Sequence, residues 1–254
     1  MSILNKVTME PSVGPYRREE TNAQAPNGRW KSLYEIAGVA ALIMVAIILA
    51  QFSIFMASSP PLEGSAIDWF SLFQNNWLLG LLSFEILMVV YAVLSVPISL
   101  ALFVALRHAN QSLTAIYLVL SLIGAVAFIA ARPAFEMLSL SNQYAAAATE
   151  TERAMFIAAG EVMLAVFNGS IFYVSYILGS ISGLIISIVM LRSNVFTKAT
   201  ASVRIASSIL DFGLFIPTIG VYVSAFSVVF LLTWDILVAR KLFQLRRANN
   251  LDQI

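Results

Sequence analysis

Cysteine is missing from all 254 residues, and histidine occurs once, at position 108. Without thiols there is no disulfide, no thiolate nucleophile and no thiolate metal site. A single imidazole excludes metal centres that need several and makes a Ser-His-Asp triad a poor fit. Charge is scarce too, at 11% of residues, where a soluble domain carries about 25%. The 15 Lys and Arg oppose 14 Asp and Glu for a net charge of +1, which leaves no basic field to attract nucleic acid. Phosphate-loop, zinc-helix, nucleophile-elbow and clear dinucleotide-fingerprint patterns are all missing, so no cofactor is expected and enzymes are the less favoured class.

Apolar residues are abundant: 59% of the chain is hydrophobic and mean hydropathy is +0.85. Several charge-free apolar stretches approach the roughly 20 residues a membrane helix needs, so lipid is the solvent for most of the chain. Pro11, Pro15 and Pro26 punctuate a polar beginning, read as a flexible cytoplasmic tail over residues 1–30. No cleavable signal is evident. Residues 31–247 form the membrane domain, and 248–254 a short C-terminal tail.

Within that domain the expectation is an all-α bundle of six spans. Residues 36–56 cross first, covering about 31 Å as a helix. Residues 77–106 form an overlong second span that tilts or kinks at Pro97, and residues 113–131 a third. Trp69, Phe70 and Phe73 precede the second span as an interfacial half-turn. A loop over 133–153 and a partly inserted helix over 151–167 make a small outer cap. Residues 169–191 cross fourth, with a tight hairpin over 154–191 as the alternative. A weaker fifth span over 201–216 turns at 217–220 into a sixth ending near Val238. With both termini cytoplasmic, only Arg132 and Arg153 of the 15 cations fall outside, as the excess of inner cations requires. Splitting the fourth region reverses that excess to six inside and nine outside, and refusing the fifth span weakens it to nine and six. Trp30 and Trp234 then sit near the inner face, Trp69 and Trp77 near the outer one.

Three carboxylates interrupt the apolar helices: Glu85, Glu161 and Asp211. Facing lipid, each would cost roughly 2.5–3.5 kcal/mol if ionised at mid-helix, so they turn inward at similar depth. If they converge they offer a proton acceptor or a cation site. If not, each is satisfied by a neighbour such as Asn168, Ser170 or Tyr173, or pairs with Arg132 or Arg153. Glu35 and Asp235 read as solvated or paired end charges, and His108 as a loop residue. Ser175, Gly179, Gly183 and Ser187 recur every fourth residue, a small-residue stripe that lets another helix approach, in this chain or in a second copy.

The run Gly28-Arg29-Trp30-Lys31-Ser32-Leu33-Tyr34-Glu35-Ile36-Ala37-Gly38, the six spans, the small-residue outer loop and the basic end together resemble a bacterial family of multi-pass membrane proteins of unknown function, the DUF4386 group, over about residues 28–247. The resemblance implies a location in the bacterial cytoplasmic membrane and an uncharacterised activity, with no active site to carry over. The expected role is a non-enzymatic membrane component that binds lipid, a membrane-protein partner or its own copy. Alternatives are a small ion- or proton-coupled transporter using the carboxylates and, less favoured, a membrane hydrolase with an acid-bound cation.

Overall fold

The computed structural model describes residues 30–251. The proposed flexible tail therefore lies outside the described residues except for Trp30. Helices α1 (Lys31–Ser58), α2 (Ala66–Asn75), α3 (Trp77–Ser83), α4 (Ile86–Leu106), α5 (Gln111–Ala130), α6 (Ala134–Ala146), α7 (Glu150–Phe167), α8 (Ser170–Arg192), α9 (Lys198–Asp211) and α10 (Gly220–Leu251) follow in order, with a 3-10 turn, Phe212–Phe215, after α9. Side-chain acceptors start several of them: Asn110 Oδ1 takes the Leu113 N–H at 3.0 Å, and Thr197 Oγ1 that of Thr200 at 3.2 Å. Each occupies one donor that a helix N-terminus leaves unpaired. Helix α10 ends inside the stretch 248–254 read as a tail.

Six helices close a ring. Helix α1 packs on α4, α4 on α5, α5 on α8, α8 on α9, α9 on α10, and α10 returns to α1. Five segments are long and apolar enough to cross a membrane: Lys31–Ser58, Ile86–Leu106, Gln111–Ala146, Glu150–Arg192 and Tyr222–Ala248. The fifth expected span is the difference. Helix α9 has 14 residues, about 21 Å, and completes the ring without being a full apolar crossing. The exterior carries Ile36, Val39, Ile43, Val119, Val126 and Phe226, all large, apolar and exposed, as expected where lipid replaces water.

The ring is solid at one end. Tyr34, Ala37, Ala41, Leu102, Leu106, Ile186, Met190, Val238 and Leu242 form a continuous buried cluster there. Small residues permit this closeness: a Cβ on Gly38 would lie 2.9 Å from the Phe243 ring. At the other end α2, α3, α6 and α7 make a helical cap with its own core of Trp69, Phe70, Phe73, Phe84, Met137 and Phe167.

Three expectations need correction here. The overlong second span does not run unbroken from 77: it stops after Ser83 and restarts at Ile86, with Glu85 in the left-handed region at φ 62°. Pro97 stays inside α4. The stretch 133–153 is largely helix, because Ala134, Met137 and Ser141 fall on one face that the cap buries. The aromatics at 69, 70 and 73 belong to α2 and are interior, Trp69 meeting Phe84 edge-on at 4.8 Å. Trp69 and Trp234 are buried in protein, whereas Trp77 is exposed.

Candidate functional site

Between the packed end and the cap the ring encloses a cavity of about 610 Å³ to which all six ring helices contribute. Met44 and Ile48 come from α1, Tyr91 and Ser95 from α4, Tyr117 and Ser121 from α5, Tyr176 and Gly179 from α8, Arg204 and Asp211 from α9, Ser227 and Leu232 from α10. The lining is predominantly apolar with a band of hydroxyls. Ser99 and Ser121 share a hydrogen bond of 2.7 Å, and Tyr117 donates to Ser99 at 3.3 Å. Leu49, Phe52 and Val229 line the same cavity yet are 54%, 65% and 61% exposed. The cavity therefore reaches the bundle exterior along the α1/α10 seam, where lipid lies.

The three carboxylates that interrupt the apolar helices meet different partners, and Glu161, expected to turn inward, is on the exposed side of α7 in the cap. Glu85 Oε2 takes the Arg132 Nε–H at 2.6 Å, and Arg132 also lies against the rings of Phe128, Phe167 and Phe172 at 4.4–4.6 Å from their centroids. This pair ties the α3/α4 break to the end of α5. Glu161 Oε1 accepts the Ala66 N–H at 2.7 Å, placing a negative charge at the N-terminus of α2, where the helix dipole favours it. Asp211 accepts from the Ser227 hydroxyl and alone of the three lines the cavity. Among the described residues no group of three acids or imidazoles is spaced to hold a metal ion. Arg153 pairs with Glu150 on the exposed cap at 3.0 Å, and Glu35 with Arg246 at 2.7 Å.

The small-residue stripe divides by position. Gly183 receives α9: a Cβ there would collide with Ser208 Oγ and lie 2.7 Å from Arg204 Nε. Gly179 has open space because it lines the cavity. Ser175 and Ser187 are buried within the bundle and donate back to their own helix, to Phe172 O at 2.6 Å and Gly183 O at 2.7 Å. The close approach at Gly183 is thus made within the chain.

The side chain that sequence reasoning placed wrongly is Arg204, counted among the cytoplasmic cations but standing on the cavity wall. Its guanidinium carbon lies 5.0 Å from the Trp234 ring centroid, and Nη2 reaches the Gly179 carbonyl at a long 3.5 Å. Arg204 Nε, Ser207 Oγ, Ser208 Oγ, Trp234 Nε1 and both Asp235 carboxylate oxygens are buried without a hydrogen-bond partner. Asp235 is fully buried, which corrects its reading as a solvated or paired end charge. A buried unsatisfied polar group costs about 1–3 kcal/mol, so this concentration on facing stretches of α9 and α10 works against stability. A signal was available: Arg204, Ser207, Ser208 and Asp211 are spaced i, i+3, i+4, i+7, one polar stripe that in a membrane faces inward.

No curated protein and no solved structure gives a match to this chain. The sequence pattern of one family does, the domain of unknown function DUF4386, over residues 36–243. That interval runs from the first turns of α1 to the last third of α10 and so takes in the ring, the cap and the cavity. By the extent of that match, and with a helical membrane bundle as its structure, the chain belongs to the DUF4386 family.

Proposed function

We propose that this membrane protein binds an amphiphilic lipid-phase molecule in its central cavity. The observation that carries the reading is the opening along the α1/α10 seam, since Leu49, Phe52 and Val229 belong at once to the cavity wall and to the exposed surface. A mostly apolar hollow with a few placed polar groups is the usual form of a small-molecule site, and a lateral mouth admits molecules already dissolved in the bilayer. The protein acts as a non-enzymatic component of the bacterial cytoplasmic membrane with both chain ends in the cytosol, a placement supported by the excess of Lys and Arg on that side. Arg204 leaves that tally, and the excess survives its loss.

The test is extraction of the purified full chain followed by mass spectrometry of co-purifying lipids. Gly179→Leu projects a side chain into open space and exchanges a helix glycine for a better helix former, so it narrows the cavity beside Arg204 without strain. The expected result is an unchanged melting temperature and loss of the bound species. Retention of the same lipids by Gly179→Leu overturns the reading. Accessibility of tags at each end, probed from either side of sealed vesicles, tests the orientation separately.

One observation favours a second reading, an ion- or proton-coupled carrier: Asp211 is a carboxylate on the cavity wall. Flux in proteoliposomes that Asp211→Asn abolishes and Glu161→Gln leaves intact would support it. Flux that survives Asp211→Asn, or its absence from the native chain, would remove it.

A further inference from the structure

We infer that the cavity selects amphiphiles whose head carries a single negative charge, a carboxylate or a phosphodiester on an acyl chain, and that Arg204 recognises that head; this rests on the amphiphile-binding reading above. A guanidinium has five N–H donors in a fixed fork suited to paired oxygens. Here one makes a contact of 3.5 Å, at the edge of what counts as a bond, Nε is buried without a partner, and among the described residues no carboxylate lies in salt-bridge range, which leaves the outer end of the fork as the part that can reach a ligand. A cation so placed on an apolar cavity wall has its strong donors left over for a ligand.

The charges around it set the limit. Asp211 lies seven residues along α9, about 10 Å up the helix axis, and its carboxylate holds the Ser227 hydroxyl. Asp235 is sealed inside the protein and is not part of the cavity lining. Both supply countercharge at a distance without occupying the fork. Two carboxylates around one guanidinium penalise a doubly charged head more than a singly charged one. From the fork, an acyl chain runs along Met44, Ile48, Val228 and Leu232 to the seam at Phe52 and Val229.

The experiment measures binding of oleate, monooleoylglycerol, oleylamine, oleyl phosphate and acetate to the full chain in uncharged detergent by native mass spectrometry. At pH 8 oleyl phosphate is close to doubly charged. The expected order places oleate about tenfold tighter than monooleoylglycerol, one hydrogen-bonded charge's worth. Oleylamine and oleyl phosphate follow behind oleate, and acetate, lacking a chain, does not bind. Arg204→Gln removes the tenfold preference while keeping monooleoylglycerol, and Arg204→Lys, which retains charge without the fork, keeps part of it. Should Arg204→Gln melt early, Arg204→Lys carries the test. Undiminished oleate preference in Arg204→Gln, undiminished preference in Arg204→Lys when the glutamine variant is unstable, or oleylamine or oleyl phosphate binding as tightly as oleate overturns the inference while leaving the amphiphile reading standing. If none of the single-chain probes binds, the amphiphile reading itself fails.

Discussion

Arg132 is heavily committed among the described residues. It holds Glu85, two backbone carbonyls at Ala131 and Phe167, and three aromatic faces, and its side chain is 3% exposed. Removing one partner of a buried ion pair costs about 3–5 kcal/mol because the other charge is stranded. Arg132→Ala is therefore expected to lower stability by about that amount, read by reversible denaturation in detergent. Glu85→Gln costs less, since its amide oxygen still accepts from Nε. Asp68 gives a residue-scale pH effect outside the spans. The Ser65 hydroxyl, then the Ser65 N–H, each at 2.8 Å, hold its carboxyl below the ordinary value of 3.8. A depressed carboxyl stabilises the folded cap above its unfolded pKa, and that contribution disappears as pH falls through the lower folded value. Melting curves from pH 6 down to acid should show the native chain losing an increment below about pH 4 that Asp68→Asn lacks throughout.

Among the elements, α8 supports two opposite outcomes four residues apart. Gly183→Leu drives a side chain into Ser208 and Arg204 and is expected to cost about 1–3 kcal/mol or more as overpacking. Gly179→Leu is near neutral in stability, and thermal melts of the two variants decide it. A stripe of small residues in sequence does not separate these cases, because both positions share one face and only the tertiary neighbours differ. The start of α5, the break at 168–169 and the start of α8 were readable, since polar residues and a glycine interrupt apolar runs there. The break at Glu85 was not. Hydropathy stays high on both sides of it, and the partner of Glu85 at the break is Arg132, 47 residues away. The amphipathic stripe of α9 is visible in the residues, but hydropathy alone makes this segment a weak span with Arg204 at its cytoplasmic end, whereas the structure has Arg204 on the cavity wall.

For the whole molecule, the ring order equals chain order: each wall of the cavity packs against the ring helix that follows it in the chain, with cap helices intervening after α1 and after α5, except the last, where α10 meets α1. Glu35 with Arg246 and Gly38 with Phe243 fix the antiparallel register of that meeting, and the same register brings Phe52 opposite Val229. A chain without cysteine is a clean background for a thiol-specific bifunctional reagent. Phe52→Cys with Val229→Cys, bridged by such a reagent, is expected to slow exchange of a bound fluorescent fatty acid at least tenfold, with release restored by a cleavable bridge; exchange at the native rate would mean that ligands use another way in.

Because its final wall is also the last of the ring helices to leave the ribosome, the hollow is a trough until α10 is made and becomes a chamber only when α10 docks on α1. A nonsense mutation before Trp234 would thus do more than shorten the protein. It would leave Tyr91, Tyr117 and Arg204 bared to the bilayer, and membrane quality control would meet a half-pipe with a bared cation on its inner surface.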